Sequence, residues 1–141
     1  MSQLLTKATT PQSGIHRLEK VLPVPPSTNG LFATIRTPHG GTRRIPTREY
    51  NDWRALAGQL GKPWPRYSQD KRNHIPWTLH IVAWNLSRRR DIDNTIKAIC
   101  DLIVTHTGLR DSWLDDLAIL RRWDDGEARV LLRLEVRGIA E

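Results

Sequence analysis

Trp77-Thr78-Leu79-His80-Ile81-Val82-Ala83-Trp84 runs through Asn85-Leu86-Ser87 into Arg88-Arg89-Arg90-Asp91-Ile92-Asp93-Asn94-Thr95-Ile96-Lys97. In the first part, Trp77, Leu79, Ile81 and Ala83 alternate with Thr78, His80, Val82 and Trp84, and this period of two predicts a strand with both faces largely covered. From Asn94 the period becomes helical. Ile96, Ile99, Cys100, Ile103 and Val104 make one apolar stripe, and Gly108 is the expected stop. A strand therefore hands over to a helix through three arginines and two aspartates, and the other elements are expected to build around that junction.

Upstream, residues 1–14 are polar and unpatterned and read as a flexible N-terminal arm, leaving 15–141 as one domain. His16 to Leu22 is a first strand, ended by Pro23-Val24-Pro25-Pro26, where missing amide donors stop ladder pairing. Ala33 to Thr37 and Thr42 to Ile45 flank Pro38-His39-Gly40-Gly41 as a hairpin that brings Arg36, Arg43 and Arg44 near one another. Thr47 caps a helix to about Leu60, with Tyr50, Trp53, Ala57 and Leu60 on its apolar face. Lys62 to His74, rich in Pro and charge, is a connecting loop. Downstream, Leu117 to Trp123 and Ala128 to Val136 are expected as two strands around Asp124-Asp125-Gly126, a strong hairpin signal. The order predicts an α+β domain, a mixed sheet with two main helices packed on it.

The 141 residues suit one compact domain, and a single Cys excludes an internal disulfide framework. No apolar run approaches the roughly 20 residues of a membrane span, and no secretory signal pattern opens the chain. A soluble cytoplasmic protein is expected. The 22 Lys/Arg against 15 Asp/Glu give +7, which favours a polyanionic partner because neutralised phosphates release counterions. The charge is divided along the chain. Residues 1–90 carry 15 basic and 4 acidic side chains, residues 91–141 carry 7 and 11. Carboxylates so concentrated in a DNA binder need cations between themselves and phosphate.

Asp91 and Asp93 are the first candidates. Extended geometry around Ile92 is expected to send both side chains the same way. Hard carboxylate oxygens suit Mg²⁺ or Mn²⁺, which would remove the repulsion between them. Asp93, Lys97 and Asp101 recur every fourth residue, so a lysine lies one turn from the acids. The competing structural readings are helix capping for Asp93 and a surface ion pair for Lys97. A third carboxylate is sought in Trp113-Leu114-Asp115-Asp116, and strand register decides whether Asp115 or Asp116 turns inward. Arg88, Arg89 and Arg90 precede the acids and are assigned to phosphates. Cys100 lies on the apolar stripe and is expected to be packed. Trp53 and Trp77 fit core faces, while Trp64, between two prolines, is the candidate for exposure and stacking on an unpaired base. His, Cys and Gly spacings of zinc hydrolases and phosphate-binding loops are absent, so no nucleotide cofactor is expected.

Three segments together resemble the RusA family of Holliday junction resolvases, which are phage- and prophage-associated endonucleases. They are Leu22-Pro23-Val24-Pro25-Pro26-Ser27-Thr28-Asn29, Arg90-Asp91-Ile92-Asp93-Asn94-Thr95-Ile96-Lys97-Ala98 with Asp101, and Gly108 with Trp113-Leu114-Asp115-Asp116. The resemblance implies metal ligation by Asp91, Asp93 and Asp116, catalysis by Lys97, and a place beside the active site for Asn29. It also implies a homodimer that depends on Mg²⁺ and nicks four-way junctions in paired strands, leaving 5′-phosphate and 3′-hydroxyl ends, in a bacterial nucleoid or a phage-infected cell. Arg43 and Arg44 join the DNA-binding set. The interval from Asp93 to Asp116 is a few residues longer than the family norm. The alternatives are a noncatalytic architectural DNA binder and a nuclease for forks or flaps.

Overall fold

A computed structural model describes residues 14–67 and 74–137. The expected N-terminal arm, apart from Gly14, and the middle of the Lys62–His74 loop lie outside the described residues. Alternating side chains produce the strands β1 (Ile15–Leu22), β4 (Trp77–Trp84), β5 (Leu114–Arg122) and β6 (Arg129–Arg137), which form one sheet in the order β1-β6-β4-β5. β4 runs parallel to β5, while β6 is antiparallel to β1 and β4, so the expected hairpin at Asp124-Asp125-Gly126 is corrected: β4 lies between β5 and β6 and the turn is a crossover within the sheet. A separate ribbon pairs β2 (Phe32–Arg36) with β3 (Thr42–Pro46). The helices are α1 (Arg48–Gln59) and α2 (Ile96–Thr107). This is the expected α+β architecture.

Local chemistry sets the helix ends. The Thr47 hydroxyl accepts from the Tyr50 amide at 3.1 Å and caps α1. At the end of α2, Gly108 takes φ 80°, left-handed backbone that suits glycine, and its amide donates to the Val104 carbonyl. Four residues precede α2 as a tight 3₁₀ turn, Ile92–Thr95, where the expected helix began at Asn94. The Thr95 hydroxyl closes it by donating to the Ile92 carbonyl at 2.8 Å.

The sheet buries one face. Trp77, Leu79, Ile81 and Ala83 lie beside Val130, Leu132, Leu134 and Val136 in register, and all eight are buried with Ile99, Leu102 and Ile103 of α2 and Trp53 and Ala57 of α1. The expectation that β4 is covered on both sides is corrected: its other residues are partly exposed and His80 is exposed. No described helix crosses that side. It carries instead the ion pairs Arg17–Glu135 (3.0 Å) and Arg133–Glu19 (2.7 Å), with exposed Val21 and Leu120. None of the described helices is long and apolar enough to cross a membrane.

Trp64 also departs from expectation. It is half-buried, stacked on His106 at 5.5 Å, with the Lys20 ammonium 4.6 Å from its ring centre. Lys20 is itself buried on β1 and donates to the Leu60 and Lys62 carbonyls, which fastens the loop after α1 to the sheet edge.

Candidate active site

The turn between β4 and α2 carries most of the expected chemistry. Asp91 and Asp93 are both exposed, and neither makes a side-chain capping bond to the 3₁₀ turn or to α2. The capping role weighed for Asp93 is therefore not what this backbone uses. Because Ile92 starts a helical turn, strand alternation does not orient the pair. Asp93 instead lines an open groove of about 440 Å³ along α2, with Lys97, Asp101 and Asp111 on its charged side and Cys100 and Leu117 on its apolar side. Lys97 lies 3.4 Å from Asp101, and half of its side chain is exposed. Tyr50 donates to the same Asp101 carboxylate at 3.1 Å. Burial, then the Asp101 charge, push the Tyr50 hydroxyl up to about 12, so it stays a donor. Cys100 is pushed up to about 11 by burial and by Asp111 and Asp101, which favours the neutral thiol.

The structure separates Asp116 from this group. Pairing of β4 with β5 shifts between Trp77, opposite Leu114, and Thr78, opposite Asp116, so Asp115 faces no partner residue. That bulge puts Asp116 in phase with Thr78 on the open side of the sheet, and Leu117 in phase with Leu79 on the helix side. Asp116 is exposed and sits 3.4 Å from His80. The expectation that Asp116 converges with Asp91 and Asp93 is thus not met within the single chain. Among the described residues, no three His, Cys, Asp or Glu side chains come together to hold a metal ion. Asp91 and Asp93 have the right donor chemistry for a hard cation such as Mg²⁺, which one or two carboxylates hold together with waters and substrate phosphates.

The three arginines before the acids also part company. Arg88 and Arg89 are exposed, and the Arg88 guanidinium lies 4.5 Å from the Trp123 ring centre. Arg90 is half-buried; its Nε and one terminal nitrogen are buried with no hydrogen-bond partner, and burial lowers its pKa, opposed by the Glu49 charge. Its guanidinium is not offered to solvent as those of its neighbours are. On the ribbon, Arg44 lies over Phe32 at 4.8 Å, and Phe32 meets Tyr50 edge-on, which links that face toward Asp101. Arg43 shares the opposite face with Ile35, so Arg36 and Arg44 are on one side of the ribbon and Arg43 on the other. Asn29 is exposed in the Thr28–Gly30 turn, which is tied to the acid-bearing turn where the Thr28 hydroxyl donates to the Asn94 carbonyl at 3.0 Å.

Sequence reasoning did not single out Arg121. From β5 its guanidinium donates to the Leu86 carbonyl at 3.1 Å, to Ser87 at 3.3 Å and to Arg90, gripping the loop that carries Arg88 to Asp91. The signal was present: Leu117, Ile119 and Arg121 share one phase, and an arginine at an inward strand position must find acceptors. Asn85, in left-handed backbone at φ 57°, anchors the same loop by accepting from the Asp124 amide and donating to the Asp124 carboxylate and the Gly126 carbonyl.

Two exposed acids on a clamped turn, a lysine one helical turn on and two exposed arginines before them form the pattern expected of an enzyme acting on phosphodiesters. A search of curated proteins gave no match. The family model described as endodeoxyribonuclease RusA matches residues 23–135, taking in the proline-rich loop, both helices and the acid-bearing turn. With most of its length inside that match, the chain belongs to the RusA endodeoxyribonuclease family, whose members act on branched DNA junctions.

Proposed function

We propose that this protein is a divalent-cation-dependent, structure-selective endonuclease that resolves four-way DNA junctions as a homodimer. The observation that supports it most is the turn itself: Asp91 and Asp93 stand exposed, free of capping duty, three residues after Arg88 and four before Lys97. Hydrolysis places negative charge on the attacking water, the nonbridging oxygens and the departing 3′ oxygen. Mg²⁺ or Mn²⁺, when bound, supplies an activated water and a counter-charge for phosphate. Asp91 and Asp93 are the side chains that offer it oxygen. Lys97 holds a fixed ammonium beside them, where preorganised charge is worth on the order of 2–4 kcal/mol. Arg89 holds a flanking phosphate, Arg88 contacts the DNA from the same loop, and Arg43, Arg44 and Asn29 extend the DNA contact. A two-fold dimer presents two equivalent sites to one four-stranded substrate, so opposed strands are nicked symmetrically and leave religatable 5′-phosphate ends.

Labelled four-way, fork, flap and linear substrates test this in one panel with Mg²⁺ and with chelator. The expected result is paired nicking of the four-way junction only, abolished by chelator. Asp93→Asn should still shift the junction in a gel while nicking falls roughly 10²–10³-fold. Undiminished cutting by that variant removes Asp93 from the mechanism. Binding without cutting by the native protein in either cation leaves the architectural reading, and preference for forks or flaps reassigns the substrate.

A further inference from the structure

We propose that Trp123 is a stacking platform for an unpaired nucleobase, with Arg88 as its second half. The idea rests on the reading of the chain as a DNA-acting enzyme, but the site is separate from the acids. Of the other tryptophans, Trp53, Trp77 and Trp113 are buried, and Trp64 and Trp84 are half-buried, Trp64 stacked against His106. Trp123 keeps 47% of its surface in water. The Arg88 guanidinium lies over its ring, 4.5 Å from the centroid. A flat guanidinium on one face of an indole leaves the other face for a second flat group, and every base has a π-face that fits.

The platform is fixed relative to the candidate catalytic turn. Arg88 lies on the same loop as Asp91, and Arg121, two residues before Trp123, grips that loop at the Arg90 carbonyl. Beyond Trp123, the Asp124 amide is held by Asn85, and the Asp124 carboxylate pairs with Arg129 at 2.6 Å. Asp125 and Glu127 on the same turn are exposed, so phosphate is poorly suited to sit there. An uncharged ring is not repelled. Bases at a branch point lack full stacking partners, whereas bases inside duplex must first be unstacked, so the platform favours branched over linear DNA.

The test measures binding in chelator, where no cutting occurs, for native protein, Trp123→Ala and Trp123→Phe. The probes are a four-way junction, an oligothymidine strand and a linear duplex of the same arms. Trp123→Ala should weaken binding to junction and single strand about tenfold or more, leave duplex binding within about twofold, and be restored by Trp123→Phe. Native-like binding of Trp123→Ala to junction and single strand, or an equal loss on all three probes, overturns the platform. Melting temperature checks folding, and the phenylalanine variant keeps the test decisive if alanine disturbs it. Nicking in Mg²⁺ is scored separately. A Trp123-dependent preference without nicking sinks the nuclease reading alone, and nicking with Trp123-independent binding sinks the platform alone.

Discussion

On the helix-covered side of the sheet, Asp93 and Lys97 line a groove with Asp101 and Asp111; on the open side, Asp116 stands in water beside His80. Both acidic segments have two carboxylates within three residues, so by composition they are equals. The surrounding backbone separates them. Asp91 and Asp93 sit on a turn held by Thr28 and Arg121, whereas Asp115 and Asp116 fall at a bulge in β5 whose register turns Asp116 away from α2. Acidic pairs acquire different tasks according to what fixes their direction, and a one-residue irregularity is enough to reverse that direction.

The sharpest way to probe this contrast is Lys97→Ala. If the helix-side groove is the reacting side, nicking of a four-way junction should fall about 10²-fold with KM little changed, because fixed charge is lost where it develops. Its pair with Asp101 is half-exposed, so thermal melting should move by less than about 1 kcal/mol in stability. A large fall in melting temperature with unchanged cutting would assign Lys97 to structure instead.

Arg121→Gln comes next and asks whether the clamp is what distinguishes the two segments. With three carbonyls released, amide exchange across residues 86–94 should quicken and kcat fall about tenfold, while Arg121→Lys recovers part of both. Unaltered exchange in that segment would show that Asn85 and the 3₁₀ turn hold it without help. The smallest effect is expected from Asp116→Asn, which should leave nicking within about threefold of native, as for a surface carboxylate whose neighbour is His80. A loss matching that of Asp93→Asn would break the comparison, since the assembled enzyme on DNA would then bring both acidic segments into one site.

The sequence alone determined the α+β class, the strand-to-helix handover at Arg88–Lys97, the cap at Thr47, the stop at Gly108 and the family resemblance. Each is legible because it depends on residues close in the chain: side-chain period, a hydroxyl three residues from an amide, or a glycine where left-handed backbone is needed. Tertiary structure decided what depends on distant partners. It left one face of β4 open because no described helix packs there, and it packed Trp64 against Lys20 and His106. The direction of Asp116 came from pairing with Thr78, and the role of Arg121 from carbonyls 31 to 35 residues away in the chain. Alternation along one strand states that neighbouring side chains diverge, but which of them meets the site is settled only when a second strand fixes the register.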